Sequence, residues 1–291
     1  MENNVIIATA LNDHVRIYLI NSTKMVEDAR IAHDLYPTSA AALGRTMSVT
    51  ALMGMMQKDE NEQVSVTING GGPIGTVMCA ANSNGHVKGF CGDPHFYETY
   101  PNTHKLAVGV GVGRDGYLKV TKNLKLKQNY TSQVALQSGE IGDDFAYYFA
   151  VSEQRPTICS VGVLVNEDYT IKAAGAMIIE LLPNHLESDI QYLEGLKLEH
   201  ISSVIEKDPD LSKYLYQLFP DADILKEAEV MFHCDCSRER FMTSLLTLSK
   251  SDLDELSQDD HIDIKCEFCN KEYSFNKKDI ETIMKYAAYK K

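Results

Sequence analysis

At 291 residues the chain exceeds the ordinary size of one domain, so two units are expected, and an apolar share of 44% suffices for an ordinary buried core. A net charge of −13 argues against non-specific binding to nucleic acid or to anionic membranes, because both need surplus Lys and Arg. The polar, acidic start and the short apolar run at 5–11 do not make a signal peptide, and no run approaches the roughly 18 to 20 apolar residues of a membrane span. A cytosolic protein is expected, in which thiols stay reduced.

Residues 4–10 and 15–20 read as two short strands, with Val15, Ile17 and Leu19 alternating in the second and Asn12-Asp13 marking the turn. Met25, Val26, Ala29, Ala32 and Leu35 follow helical spacing over 23–35, and Pro37 breaks the chain before a second helix at 39–57. The methionines of that helix, Met47, Met53, Met55 and Met56, suit either a soft binding surface or plain core packing, and packing is the favoured reading.

Alternation returns at 64–68, 75–79 and 86–91, with Gly70-Gly71-Gly72-Pro73 as a turn between strands. A phosphate cradle needs a following helix and a Lys with Ser or Thr, and neither is present. Gly111, Gly113 and Gly116 spell a dinucleotide fingerprint, but Tyr117-Leu118-Lys119-Val120 continues as a strand, so Arg114-Asp115-Gly116 reads as a hairpin turn. Strands continue through 130–137, a short helix spans 145–153, and 158–165 with 170–182 form a last strand pair. The implied first domain, residues 1–182, is an α+β unit with a large, mostly antiparallel sheet plus helices.

Beyond Pro183-Asn184, Ile190, Leu193, Leu196, Ile201 and Val204 recur at helical spacing, interrupted by Gly195 and closed by Asp208-Pro209. Further helices are predicted at 211–219 and 222–230. Residues 183–230 thus form a helical connector whose apolar faces must dock on something.

Residues 231–291 form a small C-terminal module: a helix at 237–248, a capping-box shape at Ser251-Asp252-Leu253-Asp254, a hairpin at 262–275 and a last helix at 277–289. The module carries four of the seven cysteines, as Cys234-Asp235-Cys236 and Cys266-Glu267-Phe268-Cys269. Thiolates separated by one or two residues can face a common centre, and two such pairs supply the four soft ligands of one tetrahedral zinc ion. With so little core, the module would draw much of its folding free energy from metal, about 10 to 16 kcal/mol apparent in zinc-finger peptides.

His233 and His261 flank the cysteines and read as bystanders, while Cys79, Cys91 and Cys159 stand alone in strand-like segments and read as core. From the residues alone two readings of the cluster stay open. One is a static structural zinc site; the other is a redox switch in which an oxidant converts zinc-bound thiolates to disulfides. No Ser-His-Asp, Walker or paired-carboxylate arrangement supports an enzyme.

The run Cys234-Asp235-Cys236-Ser237-Arg238-Glu239-Arg240, with Cys266-Glu267-Phe268-Cys269-Asn270-Lys271, closely resembles the signature of the redox-regulated holdase chaperones, the thirty-three-kilodalton heat-shock protein family. The resemblance extends to Ala40-Ala41-Ala42-Leu43-Gly44-Arg45, Gly72-Pro73-Ile74-Gly75, Ser138-Gly139-Glu140-Ile141, Tyr147-Tyr148 and Ser152-Glu153-Gln154, and so covers nearly the whole chain in order. One departure is Lys88-Gly89-Phe90, where Arg-Gly-Tyr is expected.

What the resemblance implies is an ATP-independent cytosolic chaperone rather than an enzyme, with no nucleotide, nucleic-acid or membrane partner. Cys234, Cys236, Cys266 and Cys269 are its zinc ligands when reduced. On oxidation Cys234–Cys236 and Cys266–Cys269 become disulfides, zinc leaves, the C-terminal region unfolds, homodimers form and unfolding client proteins are held. The same residues admit two other readings. A zinc-ribbon nucleic-acid binder suffers from basic residues matched by acidic ones, and a thiol-disulfide oxidoreductase wants Cys266 and Cys269 at a helix start and not on a hairpin.

Overall fold

A hairpin sets the frame. Strands β1 (Asn4–Ala10) and β2 (Val15–Asn21) pair antiparallel across Leu11, Asn12 and Asp13, three residues at positive φ, where Asn and Asp tolerate the left-handed backbone better than most. Helix α1 (Thr23–His33) follows, then α2 (Pro37–Met55), with Pro37 in the first turn, where its missing N–H is no loss. Residues 4–57, 59, 62–124 and 128–289 are described in this computed structural model.

Helix α2 is buried on nearly every side, and a helix with no polar face must lie between layers. The layers come from β3 (Gln63–Gly71), β4 (Val77–Asn82), β5 (His86–Cys91), the short helix α3 (Val108–Val112), β6 (Gly113–Asn123), β7 (Tyr130–Ala135), α4 (Gly142–Ser152), β8 (Thr157–Val165) and β9 (Ile171–Leu181). Three short helices come next, α5 (Glu187–Gly195), α6 (Ile201–Lys207) and α7 (Leu211–Leu218), then β10 (Asp223–Glu229) and β11 (Met231–Phe232). The antiparallel pairing expected of the first domain divides into two sheets. One, ordered β10-β1-β2-β9-β8, is antiparallel throughout; the other, β11-β5-β4-β3-β6-β7, is antiparallel except for its β11–β5 pair. Helix α2 packs on β4 and β5 of one sheet and on β8 and β9 of the other.

The five-stranded sheet is apolar on both faces, as its nearly continuous runs require. Val5, Tyr18, Ile20 and Ile178 join Leu43, Leu52, Val66 and Phe145 in the core around α2. Their neighbours Ile6, Ile17, Leu19 and Ile179 point the other way and pack against Ile201, Val204, Leu215 and Phe219. The connector's apolar faces therefore dock on this sheet. The four methionines belong to packing: Met47, Met53 and Met55 are buried, and Met56 lies against the same core.

Three expectations need correction. Residues 222–230 are not a helix: β10 pairs with β1 from Asn4↔Glu229 to Thr9↔Asp223. Leu225, Lys226, Glu227 and Ala228 favour helix by only tenths of a kcal/mol each, and the otherwise open edge of β1 outweighs that preference. Arg114-Asp115-Gly116 lies inside β6 and is no hairpin turn; the register slips at Gly70 and Gly71, where a Cβ on Gly70 would stand 2.3 Å from the Gly113 carbonyl oxygen. These glycines serve close backbone approach at a bulge. The helix at Lys250–Leu256 is capped by Ser249 and not Ser251.

A polar cluster lies beside α3. Arg45 donates to a Glu140 carboxylate oxygen at 2.7 Å, the Tyr100 hydroxyl donates to the other at 2.6 Å, and the Gly109 N–H adds a third bond at 2.9 Å. Burial opposes ionisation of Glu140, but these donors outweigh it and hold the carboxyl below its usual range.

The chain forms two compact units, Met1–His233 and Cys234–Lys291. The second contains α8 (Arg238–Leu245), α9 (Lys250–Leu256), β12 (His261–Lys265), β13 (Glu272–Asn276) and α10 (Lys277–Tyr289). Its core cluster has Leu245, Leu253, Phe275 and Ile283 at the centre, with Phe241, Met242 and Ile264 among the partly buried residues around them. Among the described residues, no helix is long and apolar enough to cross a membrane.

Candidate metal centre

Two local structures present the four thiols. Cys234 and Cys236 lie on the arm just before α8, whose N-cap Ser237 accepts the Arg240 N–H at 3.2 Å. Arg240 reaches back, donating to the Asp235 carbonyl at 2.9 Å and pairing with its carboxylate, so the arm is tied to the first turn of the helix. Cys266 and Cys269 sit in the tight turn between β12 and β13. There the Cys266 carbonyl accepts the N–H groups of Cys269 at 3.3 Å and Asn270 at 2.8 Å, and Asn270 takes the left-handed backbone with φ 58°.

The arm and the hairpin are clamped together by side chains that flank the cysteines. Arg238 pairs with Asp279 at 2.5 Å and lies over the Phe275 ring, 4.7 Å from its centroid. The Tyr273 hydroxyl lies within hydrogen-bond reach of both the Cys236 carbonyl, at 3.0 Å, and the Cys236 sulfur, at 3.2 Å, while its ring packs on Phe241. Tyr273 was not singled out from the sequence, and Arg238 entered only as part of the signature run. The usable signal was the period-2 alternation of β13, which puts Tyr273 on the same face as buried Phe275.

All four sulfur atoms lie within 4.8 Å of one another, with Cys234–Cys266 at 3.8 Å and Cys236–Cys269 at 3.4 Å. Zinc–sulfur bonds of about 2.3 Å in a tetrahedron place sulfurs roughly 3.8 Å apart, so the present spacing suits such an ion. Cys266 is buried and the other three are partly so. The expected bystanders stay apart: His233 stacks on His86 with ring centroids 4.3 Å apart, and exposed His261 faces Asp263 at 3.5 Å.

Electrostatics within the cluster are uneven. Burial opposes ionisation of Cys236, but hydrogen bonds from Tyr273 and the neighbouring thiols outweigh it and hold this thiol below its usual value. Burial drives Cys234 well upward and Cys269 up to about 11. Four sulfurs this close cannot all ionise on their own, and a divalent cation is the natural partner that lets them do so.

The other three cysteines are placed as expected. Cys79 and Cys91 are buried and Cys159 packs half-buried against the same core. Burial pushes the Cys79 thiol well up and holds those of Cys91 and Cys159 at about 12, so they stay protonated and poorly nucleophilic.

A family model described as Hsp33 protein matches residues 3–276. The chain is 40% identical to the 33 kDa chaperonin of Alkaliphilus metalliredigens over 98% of this chain and 99% of that protein. It is 41% identical to the 33 kDa chaperonin of Bacillus velezensis over 95% of this chain and 96% of that protein. The crystal structure of the 33 kDa chaperonin from Thermotoga maritima superposes with a TM-score of 0.89 at 30% identity, covering 99% of this chain and 100% of that one.

Proposed function

The chain belongs to the Hsp33 family of chaperones, and on that premise we propose that it is an ATP-independent cytosolic holdase with its redox switch in residues 231–291. Cys234, Cys236, Cys266 and Cys269 hold one zinc ion in the reduced protein; bound zinc keeps the sulfurs ionised and offsets their mutual repulsion. Oxidation joins Cys234 to Cys236 and Cys266 to Cys269. Each closure converts two thiolate sulfurs into one S–S bond and passes two electrons to an oxidant such as hydrogen peroxide, which takes two protons from solvent and becomes two waters.

Disulfide sulfurs are poor ligands, so the module loses its four-thiolate site. What remains is a core cluster centred on Leu245, Leu253, Phe275 and Ile283, too small to hold the module folded. The connector, residues 183–230, then leaves domain 1–182, and Ile6, Ile17, Leu19 and Ile179 become an apolar surface for unfolding clients. Homodimers form in this state, and no catalysis, nucleotide, nucleic acid or membrane takes part.

The observation that carries the proposal is the meeting of four thiols within 4.8 Å inside a unit with so small a core. The experiment pairs zinc release, read with a chromogenic chelator, with light scattering from an unfolding client. Peroxide is expected to release one zinc per chain and to switch on suppression of aggregation. Equal suppression by the reduced and oxidised proteins would refute the switch.

A further inference from the structure

Strand β8 ends the five-stranded sheet, with β9 on one side and, among the described residues, no strand on the other. Its nine residues, Thr157 to Val165, include no charge and no proline, the devices that ordinarily blunt an exposed edge. Val161, Val163 and Val165 pack toward the core around α2, while Ile158 and Leu164 pack toward the connector. The strand is thus held from both faces, and the outer N–H and C=O groups of alternate residues are left facing sideways.

A groove of about 700 Å³ runs along residues 161–165 of this edge. At roughly 3.3 Å per residue those five positions span about 16 Å. The facing wall carries Tyr97, Leu106 and Tyr169 with the cations Arg45 and Lys105, against a single lining carboxylate, Glu167. Arg45 pairs with Glu140 through Nη1, but its enclosed Nε finds no acceptor among the described residues. With Arg45 balanced by Glu140, Lys105 is the lining cation that has no ion-pair partner among the described residues.

Helix α6 forms one end of the groove through His200, Ser202 and Ser203, and it rests directly on the strand: a Cβ on Gly162 would lie 2.5 Å from the Ser202 hydroxyl oxygen. Departure of the connector therefore opens the groove into the sheet face that α6 covers.

We infer that the β8 groove receives an extended segment of an unfolded protein, which adds a strand to β8, lays alternate apolar side chains on Tyr97 and Leu106, and sets a carboxylate side chain near Lys105. Unpaired strand edges select an extended backbone, and Lys105 selects the acidic side chain. This assignment rests on the client-holding reading above and names where and how a client is held.

The test uses the full chain, reduced and oxidised, and fluorescence anisotropy of a labelled peptide that alternates Val and Thr around a central Glu. Tighter binding to the oxidised protein is expected. Methylating alternate peptide nitrogens, which removes donors and leaves side chains alone, should weaken binding by about tenfold or more. Lys105→Glu, at an exposed position, should weaken the Glu peptide about fivefold and strengthen a Lys counterpart. Undiminished binding of the methylated peptide, or an equal response of both peptides to Lys105→Glu, overturns the inference. So does a Lys105→Glu effect confined to the sedimentation coefficient, which marks the groove as an interface between copies. Client aggregation measured beside it separates the two readings: suppression by oxidised protein that survives loss of peptide binding keeps the chaperone and discards the groove. Peptide binding without suppression discards the chaperone reading instead.

Discussion

Phe145 and Phe275 are both fully buried, yet they sit in cores of very different reach. Phe145 belongs to a cluster that joins α2 to strands of two sheets, whereas the buried partners of Phe275 in its cluster are Leu245, Leu253 and Ile283. Burial of apolar area grows faster than chain length, so the unit Met1–His233 can stand on hydrophobic packing while Cys234–Lys291 cannot. The small unit is built so that one chemical event, loss of four thiolates, removes its main support. Residues 1–182 of the large one have no such single point of failure.

The sharpest way to break this comparison is to remove one sulfur. Cys266→Ser should forfeit most of the metal's contribution, about 10 kcal/mol or more. Segment-resolved hydrogen exchange is expected to show α8, α9 and α10 losing protection while α2 and β9 keep theirs. Retained protection in the small unit ends the argument.

Next come paired truncations. Phe275→Ala and Phe145→Ala should each cost about 3 to 5 kcal/mol. In the small unit folding and metal binding are one equilibrium, so the Phe275→Ala loss should appear in chelator competition as an affinity about two to four orders of magnitude weaker. Phe145→Ala should leave that affinity alone and lower the denaturation midpoint of the large unit.

Leu215→Ala tests the connector, whose Leu215 is buried against the five-stranded sheet. A loss of about 2 to 5 kcal/mol should appear as faster proteolysis within 183–230 in the reduced protein. Ser237→Ala removes the cap of α8 and should cost about 1 kcal/mol, roughly fivefold in metal affinity.

The smallest effect is expected from acid. Glu140 is held below its ordinary value of 4.5, so its bonds to Arg45, Tyr100 and Gly109 stabilise the fold at pH above that value. That stability disappears as pH falls through the lowered folded value. Glu140→Gln should flatten this part of the acid unfolding curve, and an unchanged curve excludes the carboxylate as a stabilising group.

Much of this molecule was legible in its residues because the relevant physics is local. The Cys-x-Cys and Cys-x-x-Cys spacings place the sulfurs of each pair near a common point whatever the rest of the chain does, and the methionines of α2 read as packing. The alternation of Val15, Ile17 and Leu19 was equally readable. Residues 223–229 were not, because Leu225, Lys226, Glu227 and Ala228 carry a helical preference that only the open edge of a distant strand, β1, overrules. Nor could Arg114-Asp115-Gly116 be placed in a strand without Gly70 across from Gly113.

The sequence by itself determined which atoms can gather a metal, where the chain turns helical or extended for local reasons, and which family it resembles. Tertiary structure alone decided that the strands split into two sheets around α2, that the connector covers one sheet face, that Tyr273 reaches the Cys236 sulfur, and that β8 keeps an open edge. The reason is the range of the forces. Ligand spacing and backbone preference act within a few residues, whereas strand edges and apolar faces are satisfied by partners hundreds of positions away, as Asn4 is by Glu229.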